Sequence, residues 1–283
     1  GPRFKPWWDH KTGTCENIAG AFFLLIQENF LLSQKHKQVY MKHQKFIFIL
    51  ALLISAAADL MGQETAPYFC NKAETVLEYT RTTAEGDVKW YHTMAIGETW
   101  QKGDTTFIDY TSHILNHKRK PYYGDEPAQL RAAVNKGTVT LDVAESVAAV
   151  FRTMLPSGAR ITSSGGESSL PSDMAPGDVL PDVLASVKAL GLTMKITVTE
   201  RKALRYETIT TPAGTFDCIV VRERKVEKGM GRNRHTVADT WYARGIGMVR
   251  HDTYSPELEL QTSEKLVSIL NTSFHHDNTT QNN

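Results

Sequence analysis

Four histidines, two downstream cysteines and a few carboxylates carry the side-chain chemistry open to this chain. His92, His113, His235 and His251 lie among strand-forming residues. Any of them becomes a general base if the fold sets a nucleophile or carboxylate beside its ring. His113 and His117 have the i, i+4 spacing that binds a metal on a helix. On a strand that spacing is about 13 Å, so joint ligation is not expected. His275-His276 belongs to a polar terminal stretch and could scavenge a metal without forming a structural site. Asp173 and Asp178 bracket Pro176-Gly177, which turn formation explains better than Ca²⁺ binding or paired-carboxylate catalysis. Arg232, Arg234 and His235 read as a solvated hairpin loop, and His117-Lys118-Arg119-Lys120 as a solvated basic turn. The chain contains no G-x-S-x-G, P-loop, H-E-x-x-H or C-x-x-C. No cofactor, metal or catalytic set is therefore expected, although a triad assembled from distant positions leaves no such motif.

The elements that would position these residues read as strands. In Leu192–Thr199 the even positions Leu192, Met194, Ile196 and Val198 are apolar and the odd ones polar, the pattern of a strand with one buried face. Val88–Ile96, Phe107–Leu115, Thr138–Val143, Arg205–Thr211, Phe216–Val226, Thr236–Ala243, Gly247–Tyr254 and Leu258–Leu270 are further strands, rich in Val, Ile, Thr and aromatics. Short Gly- and Pro-containing turns link them, which implies antiparallel pairing. Leu141–Leu155 has helical spacing at Val143, Val147, Val150 and Phe151. Ser157–Asp182, rich in Ser, Gly, Pro and Asp, reads as a long surface loop. The expected fold is all-β: one large, strongly curved antiparallel sheet of about ten strands, a half-open barrel with at most one or two short helices.

The N-terminal region reads as an address. Met41 is followed by Lys42, His43 and Lys45, then by the apolar run Phe46–Ala58, and polar sequence resumes at Asp59. This is the layout of a secretory signal peptide over residues 41–62. The run is shorter than the roughly 20 apolar residues that span a bilayer, so the mature protein is not expected to be membrane-spanning. No cysteine adjoins the run, which argues against a lipidated N-terminus. Residues 1–40 read as an upstream or artefactual extension, 63–272 as a single β domain, and 273–283 as a disordered tail. Export to the periplasm or extracellular space is the expectation. It leaves Cys70 and Cys218 as an even pair in an oxidising compartment. A disulfide there would close a loop of about 150 residues, on the order of 5 kcal/mol in the chain-entropy picture. Two buried free thiols are the alternative.

Composition narrows the partners. Hydrophobic residues make up 41% and charged residues 22%, so the chain can bury a real core. The first 63 residues hold seven of the 32 Lys/Arg and four of the 31 Asp/Glu, leaving 25 against 27, a net of −2 downstream. Such a domain has no electrostatic footprint for nucleic acid.

Three stretches carry a family resemblance: Leu170–Asp182, Thr211-Pro212-Ala213-Gly214-Thr215-Phe216-Asp217-Cys218, and Trp241-Tyr242-Ala243-Arg244-Gly245-Ile246-Gly247-Met248-Val249-Arg250. Together they resemble TapB-like secreted Bacteroidota proteins of unknown function, related to envelope half-barrel domains. The resemblance implies an exported, curved β-sheet domain and no catalytic residues. Read physically, Pro212 and Gly214 turn the chain into the strand of Phe216, Gly245 and Gly247 permit a turn or bulge, and Trp241 or Tyr242 fills the core. Two binding functions compete. In the first, the concave face (Leu192, Met194, Ile196, Val198, with Trp241) holds a lipid or lipoprotein acyl chain. In the second, the domain contacts an envelope protein through an open edge or loop. An unrecognised hydrolase is the third reading.

Overall fold

The computed structural model describes residues 66–271; the expected signal peptide, upstream extension and tail lie outside them. In chain order the strands are β1 (Thr75–Thr83), β2 (Val88–Lys102), β3 (Thr105–Asn116), β4 (Ala128–Asn135), β5 (Thr138–Asp142), β6 (Ile161–Gly165), β7 (Glu167–Leu170), β8 (Val183–Ala189), β9 (Leu192–Thr211), β10 (Gly214–Gly229), β11 (Arg232–Ala243), β12 (Gly247–Tyr254) and β13 (Leu260–Asn271). Helix α1 (Val143–Met154) lies between β5 and β6. All thirteen strands join one antiparallel sheet in the order β6-β8-β9-β10-β11-β12-β13-β1-β2-β3-β4-β5-β7. The two edge strands, β6 and β7, are consecutive in the chain with only Gly166 between them. The sheet therefore curls until its ends meet: the fold is all-β, antiparallel and barrel-shaped as expected, with thirteen strands in place of about ten and nearly closed in place of half-open.

The seam explains the main departure from expectation. Ser157–Asp182 is not only a surface loop: it contains β6 and β7, and Leu170, Met174 and Leu180 within it are buried. β6 pairs with β8, and β7 crosses to pair with β5. Gly166 makes the crossing at φ 97°; a Cβ there would lie 2.7 Å from the Ala144 nitrogen at the start of α1. Arg201 of β9, 2% exposed, ties β7 to the segment entering β8. Its guanidinium donates to Pro181 O at 2.9 Å and Ser168 Oγ at 2.9 Å. On the other side Ser163 Oγ of β6 donates to Glu145 of α1 at 2.8 Å.

Three further strands, β1, β4 and β8, also exceed the expected set. The two expected strands at Leu192–Thr199 and Arg205–Thr211 are one continuous strand, β9, with a register irregularity near Glu200, whose φ is 52°. The expected helix is present. Asp142 caps it by accepting from the Glu145 amide at 2.8 Å.

Register assigns the inner face. Tyr79 stands opposite Leu266 and His92, Arg81 opposite Glu264, and Met94 opposite Ser112. Leu77, Ile108, Ala132, Val139, Val249 and Leu266 are among the fully buried aliphatic residues of the core.

Candidate functional site

The aliphatic face predicted for a ligand is occupied. Met194, Ile196 and Val198 are buried, but they pack with Val183, Ala185 and Val187 against Ala144 and Ala148 of α1. Alanines on the helix let it lie close to the sheet, so the chain's own helix covers this face. Leu192 ends the run at 60% exposure. Trp241 belongs to the other core cluster. Its indole Nε1 donates to Glu207 at 3.2 Å, and the Arg250 guanidinium lies 4.6 Å over its ring. Trp241 is thus not brought together with the β9 residues.

Across the barrel the inner wall is polar. Glu264 accepts from His92 Nδ1 at 2.9 Å and pairs with Arg81 at 3.3 Å. Arg81 also donates to Thr262 Oγ1 at 2.9 Å and Thr253 Oγ1 at 2.6 Å. Burial alone would raise the Glu264 carboxyl, but the hydrogen bond and charge of His92, with Arg81, hold it at about 2. An ionised Glu264 orients the His92 ring: Nδ1 carries a hydrogen toward the carboxylate, and Nε2 faces Ser112 Oγ, 3.0 Å away. The result is a hydroxyl–imidazole–carboxylate relay on β3, β2 and β13. His251 lies beside it, with Nδ1 2.8 Å from Thr240 Oγ1. Burial, with the charge of Arg81 against it, pushes His251 down to about 4 despite the pull of Glu264.

The relay borders little space. The crevice at Ser112, Tyr123, Gly124 and Thr153 is about 20 Å³, room for one water. His113 Nε2 is buried beside it without a hydrogen-bond partner. His117 and His235 are exposed. Asp178 accepts from the Ala175 amide at 2.8 Å, as a turn residue does. Among the described residues no group of three or more His, Cys, Asp or Glu could hold a metal. Cys70 and Cys218 are both buried free thiols, and burial pushes the Cys218 thiol up to about 12, away from nucleophilic thiolate.

Two of the three motif segments border one groove. Thr211–Cys218 forms the β9–β10 turn and the start of β10; Trp241–Arg250 forms the β11–β12 hairpin. Between them lies an open groove of about 700 Å³, lined by Tyr206, Phe216, Asp217, Ala243 and Arg244, with Tyr68 of the segment preceding β1. That segment is held by the Trp241–Arg250 motif: Gly245 N donates to Pro67 O at 2.7 Å, and a Cβ on Gly247 (φ 93°) would lie 3.4 Å from the Phe69 Cα. Tyr242 is half-buried beside the aliphatic core. Tyr206 is 60% exposed, yet its hydroxyl is pinned by a 3.0 Å bond to Met174 O. A pinned aromatic ring with an open face is a preorganised contact surface.

A family profile described as DUF3108-like matches residues 72–266, from just before β1 to the middle of β13. The chain belongs to the DUF3108-like family. No curated protein matches this DUF3108-like chain. It is similar to two solved structures. One is a Bacteroides fragilis protein described as exported and YmcC-like in fold, at 20% identity and a TM-score of 0.60, covering 72% of this chain and 99% of that one. The other is a Parabacteroides distasonis protein described as a lipoprotein, at 17% identity and a TM-score of 0.61, covering 74% and 100%. At these identities the likeness is one of fold.

The relay of this DUF3108-like chain escaped sequence reasoning except for the inclusion of His92 among four histidines. The signal was present in the alternation. Trp90, His92, Met94 and Ile96 share one face of β2, so His92 holds a core-face position. Glu264 beside Leu266, and Arg81 beside Tyr79, repeat that signature.

Proposed function

We propose that this chain is an exported envelope protein that acts by binding a protein partner at the groove between its two motif hairpins. The observation that carries this reading is the convergence of both motif segments on an open, aromatic-edged groove while α1 lies over the aliphatic face of β9. A carrier of lipid or lipoprotein acyl chains would need that face open, so the geometry favours protein contact over lipid binding. Export is supported by the signal-peptide pattern at 41–62, by the TapB-like resemblance, and by the exported and lipoprotein descriptions of the two solved relatives. The test is to place a photo-crosslinking amino acid at Tyr206 and, as a control, at the exposed Leu184, in cells that export the full chain. A discrete adduct from Tyr206 alone is expected. Adducts from neither site, or equally from both, would remove the groove as the contact surface.

The Ser112–His92–Glu264 geometry supports a second reading, a hydrolase of carboxylic esters. Ser112 Oγ would add to the carbonyl carbon as its proton passes to His92 Nε2. His92 would return that proton to the departing alkoxide, and water would then release the acyl group by the reverse relay. It ranks second because the crevice at Ser112 has no room for an acyl group. Treatment of the full chain with a fluorophosphonate decides it: absence of a mass adduct on Ser112 ends this reading.

A further inference from the structure

β10 starts at Gly214, opposite Thr211 of β9, but β11 joins β10 only at Cys218, opposite Ala243. Gly214–Asp217 therefore has a strand neighbour on one side only, and on the other side the sheet steps down into the groove floored by Ala243 and Arg244. Alternate residues of an antiparallel strand turn their main-chain groups to opposite sides, so this overhang presents about two N–H and two C=O groups to the groove. Among the described residues no backbone hydrogen bond reaches them from that side. An unpaired edge of this kind is a template for another strand.

The groove's side chains add chemistry to that edge. Asp217 accepts from Thr208 Oγ1 at 2.6 Å and joins no ion pair among the described residues. Glu207, by contrast, is paired with Arg205 at 2.6 Å. Arg244 is engaged with the Tyr68 ring at 4.8 Å and with Ala66 O at 3.3 Å. Asp217 is thus the groove carboxylate that no cation pairs among the described residues, while the Arg244 guanidinium is held back against Tyr68 and Ala66 O. Phe216 and the pinned Tyr206 provide apolar surface beside it.

We propose that the groove takes an extended polypeptide segment by strand addition: the segment pairs with Gly214–Asp217 in line with β11 and sets a basic side chain against Asp217. This inference rests on the groove being the contact surface and adds the class of partner and the mode of binding. The edge provides affinity through main-chain bonds, while Asp217 and the aromatic rings select side chains at alternate positions.

The probe is a capped synthetic peptide of alternating valine and lysine, added to the full chain while amide hydrogen exchange is followed. Slowed exchange confined to residues 214–217 is expected, with binding weakened about tenfold by Asp217→Lys, a reversal of one charge contact. The same peptide N-methylated at alternate residues keeps its side chains and cannot pair as a strand, so it should not bind. Equal binding of the N-methylated peptide overturns strand addition while leaving the groove as the contact surface. Protection at another edge, or no binding despite a Tyr206 crosslink in cells, also overturns it. Protection that rises with protein concentration without peptide would give the edge to a second copy of the chain. A silent Tyr206 crosslink together with no peptide binding removes the groove reading itself.

Discussion

Across β8 and β9 the inner wall of the barrel consists of Val183, Ala185, Val187, Met194, Ile196 and Val198, sealed by the alanines of α1. Across β1, β2, β12 and β13 it consists of Arg81, His92, His251 and Glu264, sealed by hydrogen bonds and charge. The two walls line one interior, the first fully buried and the second closed around the buried Glu264, and they should fail differently. Aliphatic packing is a sum of many small contacts, so trimming one side chain costs its area and the cavity it leaves. A buried charge network is satisfied as a unit, and removing one member strands the others in low dielectric.

That contrast fixes the largest expected effect. Glu264→Ala leaves Arg81 and His92 without their carboxylate and should cost about 3–5 kcal/mol. Ile196→Ala, at a site 3% exposed, should cost about 2–4 kcal/mol. Urea midpoints on the full chain measure both. A Glu264→Ala cost below that of Ile196→Ala would mean that water enters the polar wall freely, and the contrast would collapse.

Acid sharpens the comparison, because only the polar wall titrates. Glu264 is held at about 2 in the folded chain against an ordinary 4.5, so the unfolded chain takes up that proton first. The stability it supplies is complete above about pH 4.5 and is lost as pH falls toward 2. His251 is depressed from 6.5 to about 4, so the unfolded chain again binds its proton first, and stability also drains between those values. Urea midpoints should therefore decline in two stages as pH is lowered from 7, and His251→Asn should remove most of the upper stage. A midpoint that stayed level from pH 7 to 5 in the unaltered chain would contradict the depressed titration of His251.

How much of this was legible depended on whether burial was written in apolar residues. The aliphatic wall announced itself through Leu192–Thr199, and α1 through Val143, Val147, Val150 and Phe151. What α1 covers could not be read, because nothing local says that a helix will lie on that face of the sheet. The polar wall was harder to read: Arg81, His92 and Glu264 keep core-face positions in the alternation, but their residue types are ones that ordinarily face water. β6 and β7 were hidden for another reason. Ile-Thr-Ser-Ser-Gly and Glu-Ser-Ser-Leu are short and polar, and backbone pairing at the seam, not side-chain burial, makes them strands. The groove was half legible: its motif segments stood out as sequence, but only the unequal lengths of β10 and β11 reveal that they enclose a space.

The seam tests the same contrast at a smaller scale. Arg201 is a charged residue that ties β7 to the segment entering β8, through Pro181 O and Ser168 Oγ, with Glu223 3.5 Å away. Arg201→Met retains most of the volume and removes the donors, at an expected cost of about 2–3 kcal/mol. Faster amide exchange should appear in β7 and spare β1 and β2. Uniformly faster exchange would show that the seam opens only with the whole barrel.

The smallest expected effect lies at the other side of the seam. Asp142→Ala removes the cap that accepts from the Glu145 amide, which should cost about 1 kcal/mol. The helix it caps also carries Glu145, which holds Ser163 of β6, and the alanines that cover β9. Fraying of the first turn should therefore register as faster exchange in both α1 and β6, with a smaller effect in β7, which keeps its ladder to β5 and its Arg201 contact. If β7 exchange rose as much as that of β6, the two halves of the seam would be one cooperative unit, and the barrel would have a single latch in place of two.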